Sequence, residues 1–265
     1  MKISVVTPSY NQGKFLEETI DSVLSQGVDD LEYIIMDGGS TDNSVEIIKK
    51  YEKHLKYWVS EPDEGQTQAI KKGFEHASGD ILCYLNSDDI YFEEVLKKVL
   101  ANFEDNSKLD LLYGDNAILY PDGRLVAKPK ISYDFGICLN AYLTIPQPSS
   151  FWSRRIYDQV GGFNSEFQYC FDYDFFLRVG RELIGREDSI RHVKDLWSKF
   201  RVHDSSKTVA SVSEFSRETK ILRSQFDFND NKIIRPLIKN YFLLKALFRF
   251  YSERKMIPLS SGPEL

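Results

Sequence analysis

The chain reads as an α/β protein built on an open sheet, and three features of its sequence predict this. Short apolar runs of strand length alternate with amphipathic helical periods through the first half. Polar turns rich in Gly, Asp, Asn and Ser separate them, and acidic residues gather where strands end. With 265 residues, 42% of them hydrophobic, there is ample side chain for one large or two intimately packed domains.

Residues 3–7 predict a first strand, and Ser9 to Gly13 turn the chain into a helix whose apolar positions Phe15, Leu16, Ile20, Val23 and Leu24 recur at helical spacing. A second unit repeats the pattern. Leu31 to Met36 is a strand, Asp37-Gly38-Gly39-Ser40 a tight turn, and Thr41 or Asp42 caps a helix carrying Val45, Ile47 and Ile48. Tyr57 to Ser60 makes a third strand, the turn at Glu61 to Gly65 opens a helix through Ala69, Ile70 and Phe74, and Asp80 to Leu85 returns to the sheet. Asn86-Ser87-Asp88-Asp89 closes that strand, ahead of a helix with Val95, Leu96 and Val99. Open α/β sheets bind ligands at such carboxyl ends.

Leu109 to Gly114 adds another strand, and Asp115 to Pro129 reads as a hairpin turned at Pro121-Asp122-Gly123. From Ser132 to Phe151 the pattern is weak. A short helix around Arg154 to Val160, a Gly161-Gly162 turn, a stronger helix around Tyr173 to Leu183 and a strand over Asp195 to Val202 follow. The serine-rich stretch from Asp204 to Val212 is expected to be a mobile loop. A helix around Ser213 to Phe226 then leads into a basic, aromatic tail. This divides the chain into residues 1–115, 116–212 and 213–265.

A net charge of −6 argues against a wholly basic nucleic-acid-binding surface. Cys83, Cys138 and Cys170 show neither CxxC spacing nor an even disulfide set, so a reducing, cytoplasmic compartment is expected. Met1-Lys2 runs straight into the first strand rather than into a signal peptide, and no window holds the roughly 20 apolar residues that span a bilayer. In the tail, Ile234, Leu237, Tyr241, Leu244, Phe248 and Tyr251 recur at three- and four-residue steps among seven Lys and Arg residues. That amphipathic pattern suits either peripheral attachment to an anionic membrane surface or packing on the parent domain or a second copy of the chain.

Four polar constellations carry candidate chemistry. Asp88 and Asp89, beside Asn86 and Ser87, offer hard oxygens suited to Mg²⁺ or Mn²⁺ with a diphosphate, or they cap the next helix. Asp37 either accepts hydrogen bonds from a base or ribose or shapes its turn, which lacks the spacing of dinucleotide and P-loop motifs. Asp172 and Asp174 flank Tyr173 and point in different directions; one can take a proton from a sugar hydroxyl while the other caps or packs. His203, with Arg201 and Lys207 nearby, either meets metal or phosphate or belongs to a solvated loop.

Taken in order, Val5-Val6-Thr7-Pro8-Ser9-Tyr10-Asn11, Met36-Asp37-Gly38-Gly39-Ser40-Thr41-Asp42, Asp63-Glu64-Gly65-Gln66, Leu85-Asn86-Ser87-Asp88-Asp89, Gly161-Gly162-Phe163, Phe171-Asp172-Tyr173-Asp174 and Arg201-Val202-His203 resemble the family 2 glycosyltransferases. The resemblance covers roughly residues 3 to 205. It implies a GT-A fold: a Rossmann-like sheet with a smaller acceptor-side region, here followed by a C-terminal helical tail. It also implies metal-dependent, inverting transfer of a sugar from a nucleotide sugar, UDP-linked by family frequency, in cell-surface polysaccharide biosynthesis. A glycan, lipid-linked glycan or protein glycan is the implied acceptor. By the same resemblance Thr7, Asp37 and Asp88 contact the donor, Asp89 and His203 hold Mn²⁺ or Mg²⁺, and Asp172 is the catalytic base. Phe171 stands where that motif commonly has glutamate. The competing expectations are a sugar-nucleotide-binding scaffold for polysaccharide assembly without turnover, and a nucleotidyltransferase, which lacks its glycine-rich basic loop here.

Overall fold

The computed structural model describes residues 1–204, 206–207, 211–226 and 234–255. The strands are β1 (Ile3–Ser9), β2 (Leu31–Asp37), β3 (Tyr57–Ser60), β4 (Ile81–Tyr84), β5 (Ile90–Tyr91), β6 (Leu111–Leu119), β7 (Leu125–Lys128), β8 (Ser150–Ser153) and β9 (Ile190–Arg201). The α-helices are α1 (Leu16–Leu24), α2 (Ser44–Tyr51), α3 (Gln66–Glu75), α4 (Val95–Asp105), α5 (Phe135–Asn140), α6 (Arg154–Gln159), α7 (Phe171–Glu182), α8 (Val212–Ser224) and α9 (Ile234–Lys255).

The strands form one sheet in the order β3-β2-β1-β4-β8-β6-β9-β5, with β7 hairpinned onto β6. β3, β2, β1 and β4 are mutually parallel, because each is reached through a helical crossover. β8 lies antiparallel between β4 and β6, and β6 carries the sheet across position 115 into the second half. The expected hairpin forms, its turn closed by Gly123 N–H donating to Tyr120 O at 2.9 Å with Gly123 at φ +83°.

Strand alternation sends neighbouring residues to opposite cores. Val5 faces a core with α1, α2 and α4, while Val6 faces one with α3, α6 and α7. In β8, Phe151 joins the first and Trp152 the second. α3 lies close on the sheet because Gly73 has no side chain; a Cβ there would meet Val6 Cγ1 at 2.5 Å. Across the sheet's amino end, buried Glu32 accepts from Ser4 Oγ (2.8 Å), Ser78 N (2.7 Å) and Ser78 Oγ (2.6 Å), tying β1 and β2 to the approach to β4.

Two segments differ from expectation, and the tail takes one of the arrangements expected for it. The stretch after Asp89 does not pass directly into a helix: Ile90 and Tyr91 first pair with Lys199 and Ser198 of β9. The weakly patterned segment contains α5 and β8, whose places depend on distant partners. The tail helix rests on the parent domain, with Phe242 and Ala246 clustering with Ile131, Ile137 and Ala141, and Lys245 Nζ 2.7 Å from Asp134. Of the loop expected at 204–212, positions 205 and 208–210 lie outside the described residues, and Val212 already begins α8.

Candidate active site

A cleft of about 1040 Å³ opens at the carboxyl ends of β1, β2 and β4, where Ser9, Gly38, Asn86 and Asp88 line it together with Asp172 from the first turn of α7. Ligands settle at this edge of an α/β sheet because loops leave it in different directions and make a crevice. Asp88 and His203 come together here across 115 residues of chain, with His203 Nε2 3.0 Å from Asp88 Oδ2. The imidazole also leans on Phe15, ring centroids 4.6 Å apart.

Asp89 lies behind this pair. It is 1% exposed, one carboxyl oxygen accepting from Arg201 N at 3.0 Å and the other from Asn86 Nδ2 at 3.3 Å. Burial, reinforced by the like charge of Asp88, pushes its pKa well above the usual carboxylate range. The resemblance implied Asp89 as metal ligand, whereas the carboxylate facing the cleft is that of Asp88. Arg201 reinforces the arrangement by donating from Nε to Asp88 O at 3.0 Å.

Asp172 opens on the cleft, with Oδ1 accepting from Tyr173 N at 2.8 Å. Burial raises its pKa to about 6, against the opposing pull of backbone N–H groups and the Lys207 cation. Asp174 serves differently: 2% exposed, it pairs with Arg178 Nη2 at 2.6 Å, and Arg178 also donates to the carbonyls of Val160 and Gly162. Glu218 of α8 holds the start of α7, accepting from the backbone N–H groups of Gln168, Tyr169 and Cys170 at 2.8–3.1 Å.

Thr7 and Asp37 sit below the cleft surface. Thr7 is fully buried with Oγ1 3.1 Å from the Tyr33 hydroxyl. Asp37 accepts from Ser40 N (2.9 Å), Ser40 Oγ (2.6 Å) and Ser60 Oγ (2.6 Å), so its carboxylate fixes the turn whose Gly38 reaches the cleft. Sequence reasoning assigned no role to Gln147 or to the side chain of Gln66. Gln66 Nε2 donates to Asn86 Oδ1 at 2.6 Å, and Gln147 Nε2 donates to Tyr84 O at 2.8 Å. For Gln66 the signal was its place in Asp63-Glu64-Gly65-Gln66; Gln147 lies where the pattern is weak. At the far end, Asn116 and Lys130 line the cleft above Asp115, which accepts from Lys130 N at 2.7 Å and lies 2.9 Å from His192 Nε2.

Among the described residues no group of three or more His, Cys, Asp and Glu side chains is arranged to cage a metal. Asp88 and His203, 20% and 12% exposed at their side chains, supply one hard oxygen and one imidazole. That pair fits a divalent cation that takes most of its ligands from a diphosphate and water, not a closed structural zinc site.

Residues 4–127 match the Glycosyl transferase family 2 model. An uncharacterized glycosyltransferase of Mycobacterium tuberculosis is 30% identical over 183 residues, covering 67% of this chain and 68% of the relative. Chondroitin synthase of Pasteurella multocida is 30% identical over 179 residues, 67% of this chain but 18% of that protein. Among solved structures, S. aureus TarS 1–349 in complex with UDP-GlcNAc aligns with a TM-score of 0.68 at 18% identity, over 92% of this chain and 72% of that one. The mannosyltransferase PcManGT of Pyrobaculum calidifontis, in complex with GDP-Man and Mn²⁺, aligns at 0.62 and 15% identity, over 97% and 76%. At these identities the structural likeness is one of fold.

Proposed function

The chain belongs to glycosyltransferase family 2 and has the GT-A fold, and from that membership we propose that it transfers a sugar, with inversion, from a nucleotide sugar to a hydroxyl of a glycan, lipid-linked glycan or protein glycan. The observation that carries the proposal is that Asp172 and Asp88 line one cleft, with His203 3.0 Å behind Asp88. Two groups are needed for such transfer: a base for the incoming hydroxyl, and a place for the charge on the departing diphosphate.

Asp172 is the base. Its carboxylate takes the acceptor's proton as the hydroxyl oxygen bonds to the anomeric carbon and the bond to the diphosphate breaks, the attack coming from the opposite face. Asp88 and His203 would hold Mn²⁺ or Mg²⁺, which when bound supplies positive charge against the leaving diphosphate. Asp89 fixes Arg201 behind them. Ser9, Tyr10, Gly38 and Asp63 meet the nucleotide, positioned by Thr7 and Asp37 from below. A UDP donor is the first choice, supported by the UDP-GlcNAc bound to TarS. Residues 1–115 supply the donor side and 116–212 the acceptor side, where Asn116 and Lys130 lie. We place the reaction in the cytoplasm, consistent with three free, buried cysteines.

The test is release of nucleoside diphosphate from a panel of nucleotide sugars, with and without Mn²⁺ or Mg²⁺. Metal-stimulated release from one donor, even to water, is the expected result. Tight nucleotide-sugar binding without release from any donor would replace transfer with a scaffold role in polysaccharide assembly.

A further inference from the structure

The 22-residue helix α9 has two apolar faces, and the parent domain covers one of them. Phe242 and Ala246 face inward, the Phe242 ring lying where a Cβ on Gly136 would meet it at 2.5 Å. Lys245 and Arg249 fasten that side to Asp134. Leu237, Tyr241, Leu244 and Phe248, at steps of four, three and four, form the second face with Leu247 beside them. They are 54–76% exposed. Of the thirteen large apolar side chains that stand exposed among the described residues, eight belong to α8 and α9, so this exposure is concentrated rather than scattered.

Charge favours one kind of occupant. Residues 232–255 contain seven Lys and Arg against a single Glu within a chain of net −6, and five of the seven are other than Lys245 and Arg249, which pair with Asp134. A helix presenting Leu, Tyr and Phe on its free face within a basic segment suits the boundary between headgroups and acyl chains of an anionic bilayer. No described helix is long and apolar enough to cross a membrane, which fits α9 lying along the surface.

We propose that the exposed face of α9, formed by Leu237, Tyr241, Leu244 and Phe248, docks the folded domain on an anionic lipid surface. The docked face keeps the helix on the domain, so binding brings the catalytic cleft to the membrane. The role does not depend on the chemistry of that cleft, and its test can fail separately.

The test is flotation of the full chain with vesicles of phosphatidylcholine alone or mixed with phosphatidylglycerol, alongside the double variant Leu244→Glu/Phe248→Glu. Wild type should float with the anionic vesicles and progressively less as salt rises. The variant should lose at least about tenfold of that binding, with melting temperature and UDP affinity unchanged, since both side chains lie outside the cleft and the docked face. Failure of wild type to float, or equal flotation of the two proteins, overturns the proposal. Dimerisation of wild type in gel filtration, abolished in the variant and without vesicle binding, assigns the face to a second copy and overturns it equally.

Discussion

The base assignment makes a quantitative claim about pH. Burial holds Asp172 at a pKa of about 6, so the group is about nine-tenths ionised at pH 7 and about one-tenth at pH 5. The sign follows from the chemistry: only the carboxylate accepts a proton, so transfer should rise with pH through about 6 and then level off. From pH 7 to pH 5 kcat/KM should fall about tenfold, with nucleotide affinity followed by calorimetry at each pH. Asp172→Asn keeps the shape and removes the proton acceptor, and should cost about 10²–10⁴ in transfer at pH 7. It should also abolish the low-pH limb while leaving nucleotide binding within a factor of a few. A flat profile in wild type from pH 5 to pH 7, or an Asn variant within a few-fold of wild type, refutes the reasoning. Selective loss in Asp174→Asn is not expected, because that carboxylate is consumed by Arg178.

Asp88→Asn and His203→Ala should each weaken Mn²⁺-dependent UDP binding at least about tenfold in calorimetry; unchanged affinity in both rejects the pair as the metal's holders. Glu218→Gln replaces a carboxylate whose Oε2 accepts from all three backbone N–H groups with a neutral amide, a weaker acceptor, for a loss of about 1–3 kcal/mol. It should speed hydrogen exchange in α8 and at 168–170, and unchanged exchange there removes Glu218 as the clamp. For Glu32, burial alone would raise the pKa, but hydrogen bonds from Ser78, Ser4 and Lys2 outweigh it and bring it down to about 2. Its depressed pKa contributes about 3 kcal/mol of stability that is present above pH 4.5 and is lost as pH falls towards 2. Urea midpoints of wild type and Glu32→Gln should therefore converge between pH 4.5 and pH 2, and a constant gap contradicts the linkage.

The parallel half was legible because each of its elements carries its own signal: an apolar run, a turn residue, a helical period. β8 and β5 were not, because four and two residues cannot announce a strand whose partners lie 37 to 109 positions away. The same limit governs the site. That Asp88, Asp172 and His203 belong together came from resemblance to a known family, since residues so far apart have no local reason to meet. Which of two adjacent aspartates faces the cleft depends on where β9 delivers the backbone N–H of Arg201, and no pattern around Asp89 encodes that. Asp174 was open to a closer reading: Arg178 stands four residues on, a spacing that places a cation beside it on a helix, and that signal, not used in the sequence reading, would have marked it as half of a structural ion pair. The tail shows both cases at once. Its three- and four-residue steps predicted a helix and an apolar stripe, but the docked side is the adjoining one carrying Phe242 and Ala246. That choice belongs to the receiving surface, where Gly136 leaves room for the Phe242 ring and Asp134 receives Lys245 and Arg249. A Gly136→Ala substitution acts on that receiving surface alone, so its cost should fall on α9 docking while the sheet and the cleft residues stay as they are.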